Sequence, residues 1–389
     1  MVMRNICFIE NMGRENRMKR QAPKKNKRNK LADTIVILLV FAIPFTVSHT
    51  DGTGFFEWFG RGAAAMAMPE AGVSAFMEEM RAAMDGEDND QPGYYVEVPP
   101  PEKEEPAISQ SDYEQACALI PEENRGPIET IQYDSNPSGD NFFDFCNGTA
   151  RNATGYSTAE MLDAAAGALP FNLELYSTQP QVLIMHTHST ESYDRFDAGF
   201  YDVTYPYRLT DINENVNAVG KVMAELLNSL GINTVQATEY HDYPSYNNSY
   251  SRSRVTVQKY LGMYPDIKIV LDIHRDGIER EDGTRLKPTA VINGKKAAQI
   301  MIIVGVGDSE YDVPNFRENL KFGMQLQNSA ETMYPGLTRP LYLANRFYNQ
   351  DLTAGSILIE MGGHANTLKE AKYAGELVAR SLANLLQPG

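Results

Sequence analysis

From residue 178 onward, short apolar runs alternate with longer stretches whose apolar residues recur every three or four positions. "VLIM" at 182–185 is a continuous apolar run of the length a buried strand takes. "NENVNAVGKVMAELLNSLG" at 213–231 has helical spacing, with Gly231 as its stop. "INTVQAT" then reads as a strand, "SRSRVTVQKYLGMYP" as a helix and "IKIVLDIH" at 267–274 as a central strand. "TAVING" and "AAQIMIIVGVG" read as a hairpin-linked pair of strands, and a helix follows within "NFRENLKFGMQLQNSAETMYPG". A last strand, "GSILIEMG" at 355–362, leads into a C-terminal helix from about 367 to 387. The alternation predicts an α/β fold over 178–389: a single three-layer domain whose mostly parallel sheet is flanked by helices.

Upstream the pattern weakens. Residues 111–177 form an extension in which "SDYEQACALIPEE" and "STAEMLDAAAGAL" are helix-like and the middle is rich in Gly, Asn and Asp. Residues 49–110 read as a flexible stalk, because the acidic, proline-rich "DGEDNDQPGYYVEVPPPEKEEP" buries too little apolar surface to fold alone. "LADTIVILLVFAIPFTVS" at 31–48 has roughly the length of a transmembrane helix. It is long for the apolar core of a cleaved signal peptide. The expected organisation is therefore a basic tail (1–30), a transmembrane helix (31–48), a stalk, the extension and the α/β domain. No internal repeat is present.

Charge sharpens this picture. Residues 1–30 carry ten Lys/Arg against two Glu, a local +8, so a chain of net charge −16 holds −24 after residue 30. Basic residues just before an apolar span place the N-terminus in the cytoplasm, which predicts a single-pass membrane protein with an extracytoplasmic C-terminal domain. The acidic remainder excludes nucleic acid as a partner, since phosphate binding needs clustered cations. Three cysteines, Cys7, Cys117 and Cys146, are spaced like no zinc ribbon, and a Cys117–Cys146 disulfide stays open.

The candidate chemistry lies at strand ends. His186 and His188 close the first strand of the α/β region, two residues apart and so expected on one side of it. His274 ends another strand in "LDIHRDG", and Glu360 lies near the end of the last in "LIEMGG". Open α/β sheets bind ligands at the carboxyl ends of their strands, where segments distant in sequence meet. Two imidazoles with carboxylates suit a zinc ion that acidifies a water, with a further Glu to move its proton. His186, Glu191 and His274 are the expected ligands and Glu360 the general base and acid. His188 either replaces His186 or orients a ligand. Arg275 is expected to stabilise an oxyanion, with Asp276 holding Arg275 or His274. His364 is a candidate lining residue, while His49 and His241 receive no role.

"PQVLIMHTHSTESY", "LDIHRDG" and "YNQDLTAGSILIEMGGHANTLKEA" closely resemble the stage II sporulation protein P family of spore-forming bacteria, in order and over roughly 178–389. The resemblance implies a zinc-amidase-like fold and cleavage of the N-acetylmuramoyl-L-alanine amide of peptidoglycan, with Zn2+ as cofactor. It also implies work in forespore engulfment beside a lytic transglycosylase and a membrane scaffold partner. Carried over by motif, His186 or His188, Glu191, His274 and Glu360 match the metal and catalytic positions. The wider amidase family takes its carboxylate ligand from the start of the following helix, where "DINENVN" offers Glu214, displaced by one position, so Glu191 is preferred. A zinc endopeptidase acting on cross-links and an inactive wall-binding scaffold are the competing readings.

Overall fold

The computed structural model describes residues 110–386, apart from 135, 136, 138 and 308–310. The strands among them are β1 (Arg125–Ile131), β2 (Phe142–Phe145), β3 (Gly148–Asn152), β4 (Val182–Met185), β5 (Phe200–Asp202) and β6 (Thr234–Gln236). They continue with β7 (Ile269–Asp276), β8 (Arg285–Ile292), β9 (Lys295–Ala298), β10 (Ile300–Gly305), β11 (Leu341–Ala344) and β12 (Gly355–Gly363). The helices are α1 (Gln110–Ala118), α2 (Thr158–Ala165), α3 (Val216–Ser229), α4 (Ser249–Met263), α5 (Phe316–Met333) and α6 (Leu368–Leu386).

Eight strands form the main sheet in the order β2-β3-β11-β10-β12-β7-β4-β6. Five of its seven pairings are parallel, the exceptions being β2 with β3 and β10 with β12. β4 shows why its run is apolar throughout: Val182 and Ile184 join the core shared with α3, α5 and α6, and Leu183 and Met185 join the one beneath α4. A strand covered on both faces has no position for a polar residue until its end. The mixed α/β class thus follows from the pattern. α3 is capped by Asn215, whose side chain accepts from the Asn217 N–H, and it ends before Gly231, which sits at φ 81°.

Two features differ from the sequence reading. The tight hairpin joins β8 to β9 through Asn293 and Gly294, both at positive φ as an Asn-Gly turn demands. β10 belongs to the other sheet, because buried Gln299 breaks the run "AAQIMIIVGVG", its amide bonding Tyr133 and Gly336 backbone. The extension at 111–177 is also woven into the sheets: β1 pairs in parallel with β8 in a second sheet, β5-β1-β8-β9, and β3 pairs with β11 at the main sheet's edge.

The basic tail, the transmembrane helix expected at 31–48 and all but the last residue of the stalk lie outside the described residues. Among the described residues no helix is long and apolar enough to cross a membrane. The single-pass membrane placement expected from the sequence therefore finds no support and is withdrawn. Cys117 is a free thiol, so the Cys117–Cys146 disulfide does not form.

Candidate functional site

β12, β7 and β4 are neighbours at the centre of the main sheet and run parallel, so they deliver their last residues to one rim. Glu360 lies opposite His274, and Met185 opposite Asp272. β12 then breaks register between Glu360 and Gly363, a bulge of the kind that re-aims side chains beside sites.

The two histidines of "HTH" part company here. β4 ends at Met185 and the chain turns at once, the Glu191 N–H donating to the His188 carbonyl. The pleat that would align residues 186 and 188 thus stops short of His188. His186 is wholly buried beneath α3, its Nδ1–H donating to the Ile273 carbonyl at 3.0 Å and its Nε2 accepting from the Gln236 amide at 2.9 Å. Burial pushes its pKa down to about 4. With both nitrogens engaged within the fold, His186 is not brought together with the other candidate ligands.

His188 instead faces the rim. Its ring meets that of His274 edge-on at 5.2 Å between centroids, with Tyr246 stacked against it at 4.6 Å and Tyr250 at its edge at 5.6 Å. Its Nδ1 is buried without a hydrogen-bond partner. Burial, then the neighbouring His274, lowers its pKa to about 4, so the ring is neutral and able to ligate.

His274 is buried with Nε2 2.8 Å from Asp272 Oδ1 and Nδ1 3.7 Å from Glu191 Oε2. Burial alone would lower its pKa, but Asp272 and then Glu191 raise it to about 10. Asp272, whose own pKa is lowered against the cost of burial chiefly by His274, also accepts from the Thr187 N–H at 2.8 Å and the Thr187 hydroxyl at 2.7 Å. It thereby ties β7 to the residue between the two histidines. Glu191 is buried, accepts from the Arg275 backbone N–H at 3.1 Å and lies 3.6 Å from the Arg208 guanidinium. Glu214 is exposed before α3.

Glu360 is only partly exposed, and its Oε2 is buried without a partner. Burial, then repulsion from Asp276, raises its pKa to about 8. Such a carboxyl can carry a proton near neutral pH.

Arg275 departs from expectation. Its Nε donates to the Ser192 carbonyl at 2.7 Å and its Nη2 to the Tyr207 carbonyl at 2.9 Å, so the guanidinium ties down the 192–207 loop instead of facing a reacting oxyanion. Asp276 pairs with Arg339 at 2.9 Å rather than with Arg275 or His274. His364 donates its backbone N–H to the Asp276 carbonyl and packs edge-on against Tyr207; His49 lies outside the described residues.

Sequence reasoning missed three supports. Asp272 stands two residues before His274 and hence on the same side of β7, a signal that was available. His241 is buried, donating from Nδ1 to the His186 carbonyl at 2.8 Å and accepting on Nε2 from Thr256 at 2.8 Å. Asp242 accepts from the Ser189 and Thr190 hydroxyls, the Thr190 N–H and Arg208, which fixes the turn that carries His188. Nothing in the local sequence marks the last two.

Among the described residues no three His, Cys, Asp or Glu side chains form a ready-made metal cage. The donor set nevertheless fits a zinc ion in kind: an unpartnered buried imidazole nitrogen on His188, and on His274 a second nitrogen facing Glu191. The 3.7 Å between His274 Nδ1 and Glu191 Oε2 is too long for a hydrogen bond. It is close to the roughly 3.3 Å that separates two tetrahedral ligands with bonds of about 2.0–2.1 Å. Asp272 behind His274 matches the carboxylate that usually holds a ligating imidazole.

A family model described as stage II sporulation protein P matches residues 74–383. Stage II sporulation protein P of Bacillus subtilis (strain 168) is 34% identical over 209 residues, which cover 51% of this chain and 49% of that one. The chain thus spans about half the length of this curated relative. Among solved structures, N-acetylmuramoyl-L-alanine amidase AmiC2 of Nostoc punctiforme is 11% identical over 53% of this chain and 94% of its own, with a TM-score of 0.31. The CwlD amidase from Clostridioides difficile, solved in complex with the GerS lipoprotein, is 12% identical over 53% and 96%, with a TM-score of 0.32. With its family model matched over residues 74–383, the chain belongs to the stage II sporulation protein P family.

Proposed function

We propose that this chain is a sporulation peptidoglycan hydrolase that cleaves the amide between the lactyl group of muramic acid and L-alanine. His188, Glu191 and His274 would hold a zinc ion. The observation that most supports this is the meeting of those three side chains beside Glu360, which sits directly across from His274 on the adjoining strand. The chemistry zinc supplies when bound is polarisation of the scissile carbonyl and acidification of a water toward a pKa of ~7.

The chain's own residues do the rest. Glu360, with its pKa near 8 and Oε2 unpartnered, takes the proton of the attacking water and delivers it to the departing L-alanine nitrogen. Asp272 Oδ1 lies 2.8 Å from His274 Nε2 as an ion-pair neighbour, and Nδ1 is turned to Glu191. Tyr246 and Tyr250 wall the His188 ring and limit water around it.

The test is digestion of purified sacculi by the full chain, with and without zinc and chelator. Peptides with a new L-alanine N-terminus should appear, and chelator should stop their release. Glu360→Gln should retain zinc and slow release by about 10²–10⁴-fold, the usual range for a lost general acid–base group. Intact sacculi with metal-loaded chain, or full rate from Glu360→Gln, would refute the proposal. Fragment masses separate this cut from cleavage of peptide cross-links.

A further inference from the structure

Asp194, three residues along the chain from Glu191, lines a cavity of about 320 Å³ that the chemistry above does not use. Leu119, Ile120 and Pro121, after α1, give its lining an apolar part, and Asp194, Arg195 and Tyr205 line it as well. Asp194 is 5% exposed, and its Oδ2 is buried with no hydrogen-bond partner. A buried carboxylate oxygen without a donor is costly unless something binds it. Burial raises the Asp194 pKa to about 6, against hydrogen bonds from the Phe196 and Arg195 backbone. The nearby cations are committed elsewhere: Lys287 bridges Asp197 and Glu370, and Arg285 pairs with Glu279. The Arg195 guanidinium lies over the Phe196 and Tyr205 rings at the same opening.

We infer that this cavity is a subsite for an amino-acid zwitterion at the end of an aliphatic chain, its ammonium on Asp194 and its carboxylate on Arg195. The apolar part of the lining would take the methylenes between. Resting on the proposed hydrolase reading, the inference assigns the cavity to the diamino-acid residue of the peptidoglycan stem peptide. Spacing agrees. The γ-linked glutamyl residue lengthens the path, so the diamino-acid residue begins roughly 10 Å beyond the scissile amide, and Asp194 lies three residues, at most about 10 Å, from Glu191. The segment between is held extended by bridges from Ser192 to Asn215 and from Asp194 to Thr367.

The test is titration of the full chain with the stem tripeptide L-alanyl-γ-D-glutamyl-diaminopimelate and with the same peptide acetylated on its side-chain amine. The free amine should bind about tenfold more tightly, as a desolvated charged pair allows, and Asp194→Asn should bring the two peptides within about twofold. Equal binding of both by the unmodified chain, binding of neither, or a preference that survives Asp194→Asn overturns the subsite. Sacculus digestion separates this from the hydrolase reading. A chain that prefers the free amine but cuts nothing keeps the subsite and loses the hydrolase, whereas one that cuts free and acetylated stems with the same KM does the reverse.

Discussion

His186 and His188 stand two residues apart, 0% and 8% exposed, and serve opposite ends. His186 has both ring nitrogens bonded within the fold and links β7 to β6. His188 has a nitrogen with no partner and a second imidazole at its edge. The difference is one of completed hydrogen bonding rather than burial. A histidine whose nitrogens are satisfied is part of the scaffold, and one left incomplete in a polar cluster is available for chemistry. The largest effect is therefore expected at His188. His188→Ala should lower kcat/KM on sacculi by about 10³-fold or more, near 4 kcal/mol, and abolish zinc retention while leaving thermal stability almost unchanged. Metal analysis beside a melting curve checks this, and an active, zinc-loaded His188→Ala would erase the contrast.

His186→Ala should do the converse. It removes two buried hydrogen bonds and opens a cavity, a loss of about 2–4 kcal/mol by denaturant unfolding, while the folded fraction still retains zinc. The same residue predicts an acid limb. Its pKa of about 4 in the fold lies below the ordinary 6.5, so the unfolded chain takes the proton first as pH falls. Stability from this group is whole above about pH 6.5 and is lost as pH falls toward 4, on the order of 3 kcal/mol. The metal-free chain should show that decline, and His186→Ala should lessen it, with His188, whose pKa is also lowered to about 4, supplying a further part.

Asp272→Asn sharpens the contrast from the other side, because Asp272 holds His274 and Thr187 but not His186. Zinc affinity should fall about 10–100-fold, with stability moving far less than for His186→Ala. Competition with a chelator of known affinity measures it. Unchanged affinity would remove Asp272 as the brace of a ligand.

How much of this could be seen in the sequence depends on how far the deciding contact lies. β4, β7 and β12 were legible because strands buried on both faces are apolar until their ends, so that His274 and Glu360 stand out as interruptions. Asp272 interrupts the same run and carried the same signal. The choice between His186 and His188 was not legible: the turn after Met185 is fixed by Asp242, more than fifty positions downstream. Arg275 was misread for a similar reason, its acceptors being backbone carbonyls of a loop without a pattern. β1 and β3 needed β8 and β11 as partners, and no local periodicity announces a strand completed from so far away.

The smallest effect tests whether the two histidines are truly independent. Gly220 sits inside α3, where an added Cβ would come within 2.6 Å of the Gln236 amide nitrogen and 2.7 Å of the His186 ring. Alanine is the better helix former by roughly 0.5–1 kcal/mol, so a permissive site would be stabilised by Gly220→Ala. Here the new methyl must displace a side chain bonded on both sides, and a net loss of about 1–2 kcal/mol is expected. Zinc content and KM should stay as they are, because the displaced ring is the one with no free nitrogen. Were Gly220→Ala to lose zinc along with stability, the His186 ring would have to position His188 through the backbone between them, and the division between scaffold and chemistry would fail at that peptide.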